Sequence, residues 1–366
     1  MNREMISVFH EIEYLRGNED YEIDRRNKNR YRVVVKESEG STSYCFSMPI
    51  YEAKSGRLIA PDCERSKERH LERTNCTVSI GEERYVLQNQ SDRAEIVLQK
   101  TPNKENIRAT PTANGVLLGI KSPQSKITVS FKNRSYEIHM GANAVSFMRE
   151  AFIPFLCVSP LFAVKTNGER SPLPIGCIMT EDKEYELNLS GGEDAQELWV
   201  EISMYEPKLF QDTTVQSAKP NQNNAYGVVS FLGESQEFGQ QWLYSRPDFS
   251  RIDELYSERI ERVLLHIPVF HGAGAKVQMF VPEARFCSFG STWNKKISHS
   301  AESFSAECGE RYLTLDVTKL FTDHAGRGLM YNEGIILKYN SDQNDCILLA
   351  TGDCVSAPQI LEVRCK

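Results

Sequence analysis

The chain has 366 residues, of which 40% are hydrophobic and 25% are charged, a composition that is typical of globular proteins and excludes a disordered or collagen-like chain. Its length allows two ordinary domains, or one domain with a large companion. The net charge of −7 argues against a protein that binds nucleic acid or anionic lipid through bulk positive charge, and both halves of the chain are acidic.

The first 30 residues predict a short helical or loose N-terminal arm. Met5, Val8, Ile12 and Leu15 follow helical spacing, and Gly17 comes next as a C-cap. The stretch is charged throughout and lacks the apolar core of roughly 7–15 residues that a Sec signal requires. We therefore predict synthesis in the cytoplasm, with any delivery to a surface or particle by another route. No apolar run reaches the roughly 20 residues of a membrane-spanning helix.

Residues 31–207 predict an antiparallel β-sandwich of unknown role. Short β-type runs recur at intervals of roughly 10 residues, with Gly, Asn and Ser between them. Alternation of apolar and polar residues is clear in residues 127–131 and again in residues 198–203. Such strands bury one face and expose the other, so Glu201 is expected to face solvent.

The most apolar run of the chain covers residues 151–164. Pro154 and Pro160 interrupt it, which disfavours a continuous helix because proline lacks the N–H that a helix interior needs. Two interpretations stay open: a buried strand pair in the core, or a surface that is held against a partner.

The ten cysteines have no pair at the two-residue spacing of a zinc knuckle or a redox motif. Several lie in apolar stretches, such as Cys45, Cys157 and Cys346, where a reduced thiol acts as a small hydrophobic group. This pattern predicts reduced thiols in a reducing compartment, with scattered disulfides as the alternative.

The last part of the chain, residues 208–366, carries an ordered set of landmarks that resembles the DNRLRE domain. This family has a jelly-roll β-sandwich and is grouped with carbohydrate-binding modules. The family's Leu-Arg-Phe-Asp-Leu phrase is altered here, because leucine and His266 replace its basic and acidic residues. The landmarks are Asp212–Val215, Pro220–Asn224, Tyr226–Gly227, Arg262–Val269, Ala275–Val281, Thr292–Asn294, Leu315–Thr318, Gly334–Lys338, Leu349–Thr351 and Pro358–Val363.

From the resemblance and the strand pattern we predict an all-β chain with two tandem antiparallel β-sandwich domains. The predicted parts are an N-terminal arm (1–30), a β-sandwich of unknown role (31–207) and a DNRLRE-like jelly-roll domain (208–366). The resemblance implies binding of a polysaccharide or a cell-surface glycan through the third part.

Candidate glycan-binding residues lie in two stretches of the third part. Sugars are recognised by flat aromatic rings together with polar side chains for the hydroxyl groups. Residues two apart on a strand share a face, so an aromatic and basic row is expected there, unless the rings are buried in the core. Its basic side chains favour an acidic polysaccharide. The predicted ligand-binding residues are Trp242, Tyr244, Arg246, Trp293, Lys295 and Lys296.

Metal binding and catalysis have little support in the sequence. The loop at residues 340–345 offers oxygen ligands for a structural calcium ion, and a plain solvated turn is the alternative. His266 and His271 are five apart, which on a strand sends them to opposite faces. The chain has no Gly-x-Ser-x-Gly or His-Glu-x-x-His motif. We therefore predict no cofactor and favour a protein that is not an enzyme.

The leading functional hypothesis is a non-catalytic binding or adhesion protein that recognises a glycan. The alternative is a structural component of an exported or surface complex, such as a spore surface or phage particle, which would form a homo-oligomer or bind an assembly partner. A third hypothesis is a polysaccharide-cleaving enzyme, which needs carboxylates that converge in one cleft.

Overall fold

A computed structural model describes most of the chain, and the predicted all-β sandwich class is confirmed. Every strand pair in the described residues is antiparallel. No helix there has the length and hydropathy that crossing a bilayer requires. The described residues are 8–17, 21–24, 26–27, 29–50, 69–73, 76–81, 84–88, 93–98, 107–112, 114–121, 124–132, 135–190, 194–322, 333–340 and 345–366.

The secondary structure consists of many short strands, two short helices and three single 3₁₀ turns (Phe249–Arg251, Asp253–Ser257 and Trp293–Lys295) in the described residues. Numbered along the chain, the helices are α1 (Val8–Arg16) and α2 (Thr318–Phe321), and the strands are β1 (Glu22–Ile23), β2 (Arg32–Glu37), β3 (Gly40–Phe46), β4 (Arg69–Arg73), β5 (Cys76–Gly81), β6 (Arg84–Gln88), β7 (Arg93–Leu98), β8 (Ile107–Pro111), β9 (Gly115–Ile120), β10 (Gln124–Phe131), β11 (Glu137–Met140), β12 (Val145–Glu150), β13 (Ile153–Lys165), β14 (Arg170–Ser171), β15 (Ile175–Met179), β16 (Tyr185–Ser190), β17 (Ala195–Met204), β18 (Phe210–Gln216), β19 (Val229–Ser235), β20 (Gly239–Pro247), β21 (Ile260–His271), β22 (Lys276–Pro282), β23 (His299–Glu307), β24 (Tyr312–Asp316), β25 (Ile335–Lys338), β26 (Cys346–Ala350) and β27 (Ile360–Cys365).

Strands β4–β17 form the middle sandwich. One sheet has the order β15-β16-β10-β7-β6-β5-β4, and the other has the order β11-β12-β13-β17-β9-β8, with β14 beside β13. The alternation seen in the sequence sets the core, because Ile127 and Val129 from the first sheet meet Val200 and Ile202 from the second. Each of these four side chains is fully buried.

The apolar run is one long strand, β13, that is covered on both faces. Val158 and Ala163 enter the core of the middle sandwich, whereas Leu161 and Phe162 pack against the C-terminal part of the chain. The strand register shifts next to Pro160, where proline has no N–H to donate to the ladder. The core interpretation is therefore confirmed for Pro154–Ala163, although the run forms one strand and not a pair, and the residues that cover it belong to the chain itself.

The predicted solvent side of β17 is wrong at Glu201. This side chain is only 1% exposed, because the C-terminal sandwich packs on the outer face of the second sheet. Alternation correctly separates the two faces of β17, and a second packed layer then covers the polar one.

Strands β18–β27 form the C-terminal sandwich. Its sheet order runs β27-β21-β26-β19-β20-β25-β22-β23, with β18 beside β20 and β24 beside β21. The long strand β21 pairs with β27 and β24 over one stretch and with β26 near its end, so it joins the two layers. Leu243, Leu265, Leu315 and Ile335 belong to the core between the layers.

Strand pairing groups the N-terminal segment with the C-terminal sandwich rather than with residues 47–207. Strand β3 pairs with β27 along its length, and β2 and β1 follow outward from β3. The predicted helix forms, and its Val8 and Ile12 pack on Phe46 and Ile360 of this sheet. Gly17 ends the helix with a positive φ of 72°.

The described cysteine side chains are all free thiols, as the spacing predicts. Five of them are buried, and Cys287 is exposed. Burial raises the pKa of the Cys45, Cys157 and Cys308 thiols to about 12, so these groups stay protonated and behave as core residues.

Candidate functional site

Strand β20 places the predicted aromatic row on one face of its sheet. Trp242 and Tyr244 belong to the same small apolar cluster, together with Phe286 from the segment that covers this face. Tyr244 is fully buried, and its hydroxyl donates to the carbonyl of Ile297 at 3.0 Å. Arg246 is also buried and donates to the side chain of Gln211. Because both side chains are buried, Tyr244 and Arg246 offer little surface to which a ligand could bind.

Two tryptophans meet at the end of this row. The rings of Trp242 and Trp293 are 5.1 Å apart between centroids, with 55° between their planes, and both side chains are half-buried. Lys338 Nζ lies 3.3 Å from the centroid of the Trp242 ring. Lys296 Nζ lies 4.1 Å from the centroid of Trp293 and 5.4 Å from that of Trp242. We call Trp242, Trp293, Lys296, Lys338 and the adjoining His299 the tryptophan–lysine cluster.

The ammonium group of Lys338 is held in a largely apolar setting. Its side chain is 8% exposed and lies between the rings of Trp242 and Phe280. His299 Nδ1 donates to the carbonyl of Ser300 at 2.8 Å, so its Nε2 is the acceptor for the ammonium. Burial, with the nearby charge of Lys296 as a second cause, lowers the pKa of Lys338 to about 8.

Among the described residues, two lysines of the cluster lack a carboxylate partner and one indole N–H lacks an acceptor. Neither Lys296 nor Lys338 forms an ion pair with a carboxylate among the described residues. The indole N–H of Trp242 is shielded from solvent and has no hydrogen-bond partner there. Two cations without a carboxylate partner therefore lie beside the same pair of rings, which is the chemistry that would receive an anionic oxygen.

The structure brings only some of the six predicted binding residues together. Trp242, Trp293 and Lys296 come together, while Lys295 is exposed and contacts neither ring in the described part of the chain. Lys338 and His299 were missed by sequence reasoning, because they reach the cluster from β25 and β23. The one available signal is a lysine that ends the apolar strand Ile335–Lys338.

Metal ligands are not assembled in the described residues. No group of three or more His, Cys, Asp or Glu side chains that could hold a metal occurs among them. The predicted calcium loop lies mostly outside, since 341–344 are not described. His266 contacts Thr314 Oγ1 at 3.0 Å and Glu362 Oε2 at 3.1 Å, within the sheet under α1.

A second cluster of polar groups lines a cavity of about 200 Å³ beside the junction of the two sandwiches. Asp212 and Asp353 both line it, together with Lys208 and Arg251.

No protein-family model matches this chain, and no curated protein matches it. The resemblance to the DNRLRE domain therefore remains a prediction that depends on the landmarks of residues 208–366.

Proposed function

We propose that this protein binds an acidic glycan through the tryptophan–lysine cluster and does not cleave it. The observation that carries the proposal is the pair of lysine ammonium groups over two adjoining indole rings, without a carboxylate partner among the described residues. The resemblance of residues 208–366 to a family grouped with carbohydrate-binding modules supports the same function.

The physical argument begins with Lys338. An ammonium group that is removed from water is costly unless it is paired, and the lowered pKa of Lys338 reflects this cost. A bound carboxylate would provide the missing charge. Lys296 lies near the same rings and adds a second, more exposed cation.

The indoles supply the second half of the recognition. Trp293 and Trp242 are half-buried, so each still presents part of its ring surface at the edge of the cluster. Apolar C–H faces of a sugar pack on such rings. A uronic acid residue carries both complementary groups, a carboxylate for the lysines and an apolar C–H face for the indoles.

The proposal predicts that Lys296→Ala weakens acidic-glycan binding by at least about tenfold, because one charge-assisted contact is lost. The full chain would first be screened on an array of acidic and neutral glycans, and the best ligand would then be titrated by calorimetry. Lys295→Ala is the matched control, since it removes the same charge one residue away from the rings.

The affinity should also fall between pH 7 and pH 9. Only protonated Lys338 attracts a carboxylate, and its pKa of about 8 lies in this window. Absence of acidic-glycan binding, or equal losses in the two lysine variants, would contradict the proposal.

Assembly is the second candidate function, and the edge of the middle sandwich favours it. Strand β15 is an edge strand that pairs only with β16 in the described residues, and it exposes Ile178 and Met179. Exposed apolar edge strands can pair with another chain. Light scattering during size-exclusion chromatography should then show an oligomer that Met179→Lys dissociates. A monomeric wild-type chain would exclude this function for β15.

A further inference from the structure

The amino group of Lys338 lies between two aromatic rings. Its Nζ is 3.3 Å from the centroid of the Trp242 ring and 5.0 Å from that of the Phe280 ring. The side chain is 8% exposed, so the ammonium form loses much of the hydration that stabilises it in water. The face of Trp242 attracts the ammonium and offsets part of this loss. Burial of this kind favours the neutral amine, which is a nucleophile.

One hydrogen bond sets the direction of the Lys338 nitrogen. His299 Nδ1 donates to the carbonyl of Ser300 at 2.8 Å, so its Nε2 accepts an N–H from Lys338. The bond uses a hydrogen of the amine and not its lone pair, so it persists when Lys338 is neutral. The lone pair of the neutral amine therefore points away from His299, where an incoming group can meet it.

The charges around Lys338 also favour the neutral form. Lys296 lies near the same rings, and its positive charge opposes a second ammonium there. Tyr244, two residues from Trp242 on β20, is kept neutral because burial raises its pKa. Glu283 follows β22, and its carboxylate accepts from the hydroxyl of the residue before His299. No carboxylate forms an ion pair with Lys338 among the described residues.

From this geometry we infer that Lys338 is a nucleophilic amine that condenses with an aldehyde, such as the open-chain end of a reducing sugar, to form an imine. Lysines that are desolvated or lie beside another cation form such imines. The amine lone pair adds to the carbonyl carbon, and the carbonyl oxygen then leaves as water with the two hydrogens of the amine. His299 Nε2 contacts this nitrogen and carries a proton from it to the leaving hydroxyl group.

The inference goes beyond the proposed binding of an acidic glycan. Glycan binding uses the protonated form of Lys338 and the charge of Lys296, whereas imine formation uses the neutral amine and needs no carboxylate on the ligand. A neutral aldehyde therefore tests the imine alone, and its result does not depend on whether acidic glycans bind.

The expected size of the effect follows from the populations of the neutral amine. Burial, with the charge of Lys296 as a second cause, lowers the pKa of Lys338 to about 8. About a tenth of the Lys338 side chains are then neutral at pH 7, compared with less than about a thousandth for an ordinary lysine. Limited exposure and a less basic nitrogen reduce this advantage, so we expect it to be at least about tenfold in rate.

Reductive trapping on the full chain tests this inference. The protein would be treated at pH 7 with glycolaldehyde, a small uncharged hydroxyaldehyde, and with sodium cyanoborohydride, which reduces the imine to a stable amine. Peptide mass spectrometry then gives the labelling rate at each lysine. Lys338 should be labelled at least about tenfold faster than Lys295, which is exposed and contacts neither ring in the described part of the chain.

The ratio of the two rates should fall about tenfold between pH 7 and pH 9, because an ordinary lysine gains neutral amine over this whole range while Lys338 approaches saturation. Any pH dependence of the reduction step cancels in this ratio. A ratio near one at pH 7, or a ratio that stays constant up to pH 9, overturns the inference.

Phe280→Ala tests whether the aromatic enclosure causes the reactivity. Water would then reach the ammonium, so the Lys338 to Lys295 ratio at pH 7 should fall at least about threefold. Phe304→Ala, on the exposed edge strand β23, is the matched control and should leave the ratio unchanged. Equal ratios in Phe280→Ala and the wild type overturn the inference, and if Phe280→Ala does not fold, the wild-type pH profile decides.

Discussion

Replacing Phe46 by alanine is expected to lower the free energy of unfolding of the full chain by about 3–5 kcal/mol. Phe46 is fully buried at the end of β3, opposite Ile360 of β27. Its ring fills the space between this sheet and Ile12 of α1. Truncation would leave a cavity at the point where β3 meets β27, the last strand of the fold.

Urea unfolding measures this loss, and Phe304→Ala is the matched control. Phe304 lies on the edge strand β23 and is 42% exposed, so the same truncation there should cost less than about 1 kcal/mol. Hydrogen exchange should show the loss in β27 rather than in β9 of the middle sandwich. A cost no larger than that of Phe304→Ala would contradict the placement of β3 in the C-terminal sandwich.

The pairing of β3 with β27 also shows where sequence reasoning stops. Alternation along a strand is a local property, so it identifies the strands and their inward faces, as at Ile127 and Val129. The choice of neighbour depends on which exposed edge is free in the finished sheet. Residues 40–46 carry no local signal for residues 360–365, and the domain boundary predicted at residue 31 could not take this pairing into account.

The candidate site, too, is only partly predictable from the sequence. The two-residue spacing of Trp242 and Tyr244 correctly predicts a shared face. Whether that face is open depends on the segment that carries Phe286 and Trp293, which folds over it and buries Tyr244. Lys338 lies beside Trp242 because Leu337 pairs with Leu243 across the sheet, a register that no sequence pattern reveals.

Glu201 gives the second large prediction, because it is a buried carboxylate that ties the two sandwiches together. Glu201→Ala is expected to lower the free energy of unfolding by about 2–4 kcal/mol, since the N–H groups of Val355 and Ser356 would lose their acceptors in a buried place. Glu201→Gln keeps one acceptor oxygen and should cost less.

Glu197→Ala is the control for this effect. Glu197 lies on the same strand, is half-buried and is not bonded to residues 351–357, the loop between β26 and β27. Its loss should change the unfolding free energy by less than about 1 kcal/mol. Chemical denaturation at pH 7 compares the three variants with the wild type. If Glu201→Ala proves as mild as Glu197→Ala, then apolar packing through Phe162 and Phe231 alone holds the sandwiches together, and the carboxylate contributes little to the junction. A large loss with Glu201→Ala and a smaller one with Glu201→Gln would instead show that the junction depends on hydrogen bonds to the loop, because both variants leave that apolar cluster intact.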